Sequence, residues 1–167
     1  PHSEIHFFEN DTNYGKGFDW YSRKILKHAT ERTVFKGEKT TAYSYDPKVA
    51  ERIYDAFPNV KLVWIFREPV ARAYSNYIHA FRSGSDSESF EEAVRSEPER
   101  IKESIYFGYM ERGRYAGQVE RFTKYFSKEQ MHFILFEEFI KNTRGELSRL
   151  FDFLGVSNDE FTFLDEP

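Results

Sequence analysis

The chain has 167 residues, with 24 Lys and Arg against 28 Asp and Glu for a net charge of −4; this argues against a broad nucleic-acid surface but leaves room for a local basic cleft. Aromatics reach 19%, with 18 Phe and 11 Tyr, enough for one packed core without staples. Cysteine is absent, which excludes a disulfide framework, a thiolate zinc site and a cysteine nucleophile and accords with a reducing, cytoplasmic compartment.

No apolar run approaches the ~20 residues of a transmembrane helix, and no signal peptide opens the chain. Pro1-His2-Ser3-Glu4 is not a plausible natural start, which leaves a lost targeting segment open. Residues 4–8, EIHFF, read as a short strand or extended segment, and 10–13 as turn-rich. Phe18, Trp20, Tyr21, Ile25 and Leu26 suggest a short helix, and 33–36 a short strand. Asp46 is placed to cap a helix with Pro47 at its first position, and Pro58 ends it.

The central stretch is KLVWIFREPVARAYSNY at 61–77. Leu62 to Phe66 reads as a buried parallel strand. Pro69, with no N–H to donate and a helical φ, starts a helix that runs from Val70 to about Phe81. Residues 82–89 form a polar loop. Further helices are predicted at 90–104 and 112–126, and a second buried strand at 131–136. A last helix is capped by Asn142 and stopped by Gly155. Strands separated by helices predict an α/β fold with a parallel sheet flanked by helices.

Arg67 thus stands at the carboxyl end of a buried strand, where open α/β sheets bind ligands. The N–H groups of a helix start lie behind it and favour anions. A guanidinium fork suits phosphate, and Ser75 adds a hydroxyl. The competing reading is an ordinary strand–turn–helix whose Arg67 pairs with Glu68 or faces water. Glu4 and His6 are two apart, so an extended segment turns both to one side, where carboxylate and imidazole can act as base and partner. Taken alone, a Glu and a His two apart on a strand are more often surface residues. Gly37-Glu38-Lys39-Thr40 is not a Walker loop, because residue 32 is Arg and Gly37 is not followed by Lys.

The run FREPVARAYS resembles the 3′-phosphate-binding segment of the sulfotransferases that use 3′-phosphoadenosine 5′-phosphosulfate (PAPS). Residues 4–21 resemble the Glu-x-x-Phe-Phe and Tyr-x-x-Gly-x-x-Trp-Tyr pattern of the heparan-sulfate-type and related bacterial members, with Tyr14, Gly17, Trp20 and Tyr21 in the aromatic frame. Residues 38–43 resemble the Glu-Lys-Thr/Ser-x-Ala-Tyr stretch of the acceptor side. The helix near 112–126 and the strand ending FEEF also match, with Phe122 at a bulky position, Tyr115 and Gln118 toward the acceptor or in the core, and Phe136 near the adenine.

The resemblance implies a P-loop nucleotide-binding-like sulfotransferase fold. It implies sulfuryl transfer from PAPS to an acceptor hydroxyl, or an amine, on a glycan, lipid or small metabolite, with no metal and no nucleic acid. Glu4 falls on the general base and His6 on its partner. Arg67 and Ser75 fall on the 3′-phosphate ligands, and Lys39 on the contact to the acceptor or the sulfuryl group. The family's phosphosulfate loop, with Lys and Gly-Thr-Thr, has no counterpart here, nor does its later Lys-Gly loop. The resemblance therefore implies that residues 1–167 are a single sulfotransferase-like domain truncated at both ends. A P-loop-fold nucleotide kinase or NTPase, and a non-catalytic anion-binding module, are the alternatives.

Overall fold

The computed structural model describes residues 4–157. In chain order these form helices α1 (Asp11–Tyr14), α2 (Gly17–Ile25) and α3 (Val49–Ala56), strand β1 (Leu62–Phe66), and helices α4 (Pro69–Arg82), α5 (Phe90–Glu103) and α6 (Tyr115–Thr123). Strand β2 (Met131–Leu135) and helices α7 (Phe136–Lys141) and α8 (Thr143–Leu154) complete them, with short 3₁₀ turns between. They fall into two compact units: residues 4–60 with Gly117–Phe126, and Lys61–Ala116 with residues 127–157.

The second unit carries the sheet. β1 and β2 pair in parallel, in the register Leu62↔Met131 to Phe66↔Leu135. This is the predicted α/β arrangement. Burial is less complete than two continuous apolar runs suggest. Trp64, Met131 and Ile134 are buried, but Val63 and Ile65 remain 42% and 61% exposed, and Phe133 and Leu135 are also exposed. The reason is that each strand, among the described residues, has only the other as a sheet neighbour. The His132 ring, two residues before Ile134 on β2, stacks on Phe153 of α8.

α4 starts because the Glu68 carboxylate accepts the Val70 and Ala71 N–H groups, with Pro69 at the first position. α5 starts with a capping box between Ser89 and Glu92. These helices pack through Ala73, Tyr77, Ala93 and Tyr109. The buried Asp86 ties the join, accepting from the Tyr109 hydroxyl and from Arg100, each at 2.7 Å.

The first unit is built on aromatic packing. Phe7 and Phe8 are fully buried. Phe7 stacks on Tyr21 at 4.6 Å and contacts Tyr14, Phe18 and Trp20. These aromatics carry a core, as their spacing in the sequence suggests.

Several expected elements differ. Residues 4–8 form no strand; His6 lies at φ 52°, which breaks an extended run. Residues 33–36 form no strand either and are largely exposed, which removes the packing partner a strand needs. α3 begins at Val49, because Asp46 spends its side chain on the Lys48 N–H in a preceding turn. α6 is shorter than 112–126, being flanked by turns. Asn142 and Gly155 cap α8 as expected; Gly155 takes the left-handed conformation at φ 75°.

Candidate active site

Segment 4–9 is turned, not extended. The Asn13 amide donates to the His6 carbonyl at 2.9 Å. The Tyr43 hydroxyl accepts the Phe7 N–H at 3.1 Å, and Arg52 donates to the Phe8 carbonyl at 2.9 Å. Arg121 of α6 fixes the Tyr43 loop by donating to the Ser44 and Tyr45 carbonyls. A left-handed residue held by such contacts is the kind of local strain found at functional positions.

This turn gathers Glu4, His6 and Lys39. Lys39 Nζ lies 2.9 Å from Glu4 Oε1. The Thr41 N–H and hydroxyl donate to Glu4 Oε2 at 3.2 and 3.3 Å. His6 Nε2 stands 3.7 Å from the same oxygen. Burial alone would raise the Glu4 carboxyl, but the Lys39 and Thr41 contacts together hold it below the ordinary value. Glu4 is therefore a carboxylate at neutral pH. Lys39 is mostly exposed although its ammonium is paired with Glu4.

Three further residues belong here to which the sequence reading gave no role of their own. His6 Nδ1 donates to Glu9 Oε1 at 2.5 Å, and the Glu9 side chain is only 5% exposed. Glu38 is partly buried, and the Tyr43 hydroxyl is the donor that faces its carboxyl. Tyr43 anchors the backbone between them. The Glu4-x-His6-x-x-Glu9 spacing was the available signal for Glu9.

In the second unit, Arg67 leaves β1 with its carbonyl held by the Tyr115 hydroxyl at 2.9 Å and its guanidinium 5.1 Å from the Phe136 ring centre. Tyr115 also packs on Phe66, so it buttresses the Arg67 turn. Gln118 is buried in the first unit. The Arg67 side chain has no salt bridge among the described residues. Glu137 accepts the Glu68 N–H at 2.9 Å. Glu68 itself occupies the Val70 and Ala71 N–H groups, so the helix start does not present those donors to an anion. Arg67 is the cation at this turn, and its charge helps to hold the Glu68 and Glu137 carboxyls below their ordinary value. Ser75 lies on the exposed side of α4.

The sulfotransferase domain family matches residues 1–165, and the chain belongs to this family. It is 34% identical over 158 residues to human heparan sulfate glucosamine 3-O-sulfotransferase 5, covering 92% of this chain and 44% of that protein. It is 31% identical over 169 residues to the bifunctional heparan sulfate N-deacetylase/N-sulfotransferase 1 of Caenorhabditis briggsae, covering 96% of this chain and 19% of that protein. The crystal structure of a sulfotransferase from Alicyclobacillus acidocaldarius superposes with a TM-score of 0.85 at 33% identity, covering all of this chain and 74% of that one. The chain thus spans less than half the length of the curated relatives it matches.

Proposed function

We propose that the protein, as part of a larger catalytic domain, transfers a sulfuryl group from PAPS to an acceptor hydroxyl of a glycan. The observation that carries this reading is the Glu4 cluster, an ionised carboxylate held by Lys39 and Thr41 beside His6, in a chain of the sulfotransferase family. Its glycan acceptor follows the class named in the relatives.

When bound, PAPS supplies an already activated sulfuryl group. Glu4 takes the proton of the acceptor hydroxyl. His6, oriented by Glu9, sets the direction of the Glu4 side chain. Lys39 releases Glu4 and turns its charge toward the transferring group, where positive charge favours the transition state. Arg67 and Ser75 hold the 3′-phosphate; the guanidinium, without a salt bridge among the described residues, fits that role. No metal is assigned a step, since side-chain cations supply the charge.

Calorimetry on the full-length protein tests the donor assignment. Adenosine 3′,5′-bisphosphate binds much more tightly than AMP, and Arg67→Ala removes about 1.5–3 kcal/mol of that preference, the worth of a charged hydrogen bond. Equal affinity of the wild type for the two nucleotides removes PAPS from the reading.

A further inference from the structure

The proposed mechanism uses Glu4, His6 and Lys39 and leaves the charge of the segment between them unexplained. Residues 16–36 carry six Lys and Arg against Asp19 and Glu31, in a chain whose net charge is −4. Lys16, Arg23, Lys24, Lys27, Arg32 and Lys36 are all exposed, and none forms a salt bridge with a described residue. The geometry is clearest at α2. Lys16 precedes the helix, and Trp20 and Lys24 follow at intervals of four, so the three share one side. Lys16 Nζ lies 4.6 Å and Lys24 Nζ 5.4 Å from the centre of the Trp20 ring. An indole attracts ammonium groups without neutralising them, so two like charges converge on one ring uncompensated. This face adjoins the base cluster. The Trp20 ring stacks on Phe7 at 6.1 Å, next in sequence to His6. Lys16 donates to the Asn13 side-chain oxygen at 2.6 Å, and the Asn13 amide holds the Ile5 and His6 carbonyls.

We propose that the Lys16–Trp20–Lys24 face is a docking subsite for acidic sugars of the acceptor glycan that lie beyond the sugar being sulfated. A carboxylate or sulfate group set between the two ammoniums relieves their mutual repulsion, which no side chain of the described residues does. Lysine suits this task, since a flexible stem lets each point charge follow an anion whose position varies along a chain. The packing of Trp20 on Phe7 and the Lys16–Asn13–His6 contacts tie the face to the turn that carries Glu4. A glycan seated there is thereby held in a fixed relation to the base. A basic face in an otherwise acidic chain also draws a polyanion to this side of the turn and not elsewhere. The inference rests on the sulfuryl-transfer reading for its occupant, but not for its charge.

The test uses the full-length protein and a size-defined heparan sulfate octasaccharide. Without donor, at ~0.15 M salt, Lys24→Gln weakens octasaccharide binding by about threefold to tenfold, and the double variant with Lys16→Gln weakens it further. Lys24→Arg, which keeps the charge, binds as the wild type does. In the transfer assay the KM for the octasaccharide rises by the same factor in Lys24→Gln, while kcat and the KM for a disaccharide acceptor stay at wild-type values. Should Lys16→Gln disturb the turn through Asn13, the Lys24→Gln and Lys24→Arg pair carries the comparison. Octasaccharide affinity unmoved in Lys24→Gln overturns the proposal, as does an equal loss for an uncharged glycan of the same length. Tighter binding of a single-stranded oligonucleotide through the same residues overturns the glycan as occupant. An octasaccharide that binds through Lys24 to a protein transferring no sulfate overturns the functional reading while leaving the docking face intact.

Discussion

At the scale of single residues the site is an exercise in charge compensation. Glu4 is ionised because Lys39 and Thr41 outweigh its burial. In Lys39→Ala its carboxyl therefore titrates at higher pH than in the wild type, readable by carboxyl ¹³C NMR with labelled glutamate; an unmoved Glu4 contradicts the pairing. The stability that Glu4 contributes has the usual sign for a carboxyl held low. It is present above the ordinary carboxylate value and lost as pH falls through the folded one. Glu4, His6 and Lys39 were legible in sequence as a carboxylate, an imidazole and a loop amine. Their meeting was expected for the wrong reason. Alternation along a strand was to turn Glu4 and His6 together, whereas the left-handed backbone of His6 does so. That error also hid Glu9, which an extended segment sends away from His6. Glu38, read only as the first residue of the 38–43 stretch, gave no sign in the sequence that its carboxyl would be buried.

At the scale of elements, caps and breakers were read well and short irregular pieces were not. The start of α4 at Pro69 and both ends of α8 follow from single residues whose side-chain or backbone chemistry admits few alternatives. α7 was missed because six residues carry too little periodicity to separate FEEFIK from the strand before it. The first turn of α8 gives a sharp prediction. The Asn142 side chain accepts the Gly145 N–H at 3.1 Å, and a Cβ at Gly145 would meet that same side chain at 2.3 Å. Gly145→Ala therefore gains up to about 1 kcal/mol of helix propensity while losing a cap worth about 0.5–2 kcal/mol. It is near neutral in the wild type and stabilising in an Asn142→Ala background. A double-mutant cycle by urea unfolding reads this coupling; additivity of the two changes contradicts it.

At the scale of the whole molecule, the two units carry different parts of the proposed reaction, the base cluster in one and Arg67 with Ser75 in the other. The parallel pairing of β1 and β2 was legible from their apolar runs. The exposure of Val63 and Ile65 was not, because a run of β-branched and aromatic residues reports what a strand can bury rather than what covers it. Stability carries a pH signature. Glu38 has its folded value raised to about 7 from 4.5, so the native state holds the proton more tightly across that window and stability falls as pH rises through it. Glu38→Gln flattens this decline in urea unfolding; parallel wild-type and variant curves contradict it. The most direct test of the central claim is the kinetics of Glu4→Gln in the full-length protein, which keeps the shape of the side chain and removes its proton-accepting charge. The account predicts that kcat for sulfuryl transfer drops by about 10²–10⁴-fold, the usual contribution of a general base, while the affinity for adenosine 3′,5′-bisphosphate is nearly unchanged. A variant that keeps near-wild-type kcat would contradict it and take Glu4 out of the mechanism.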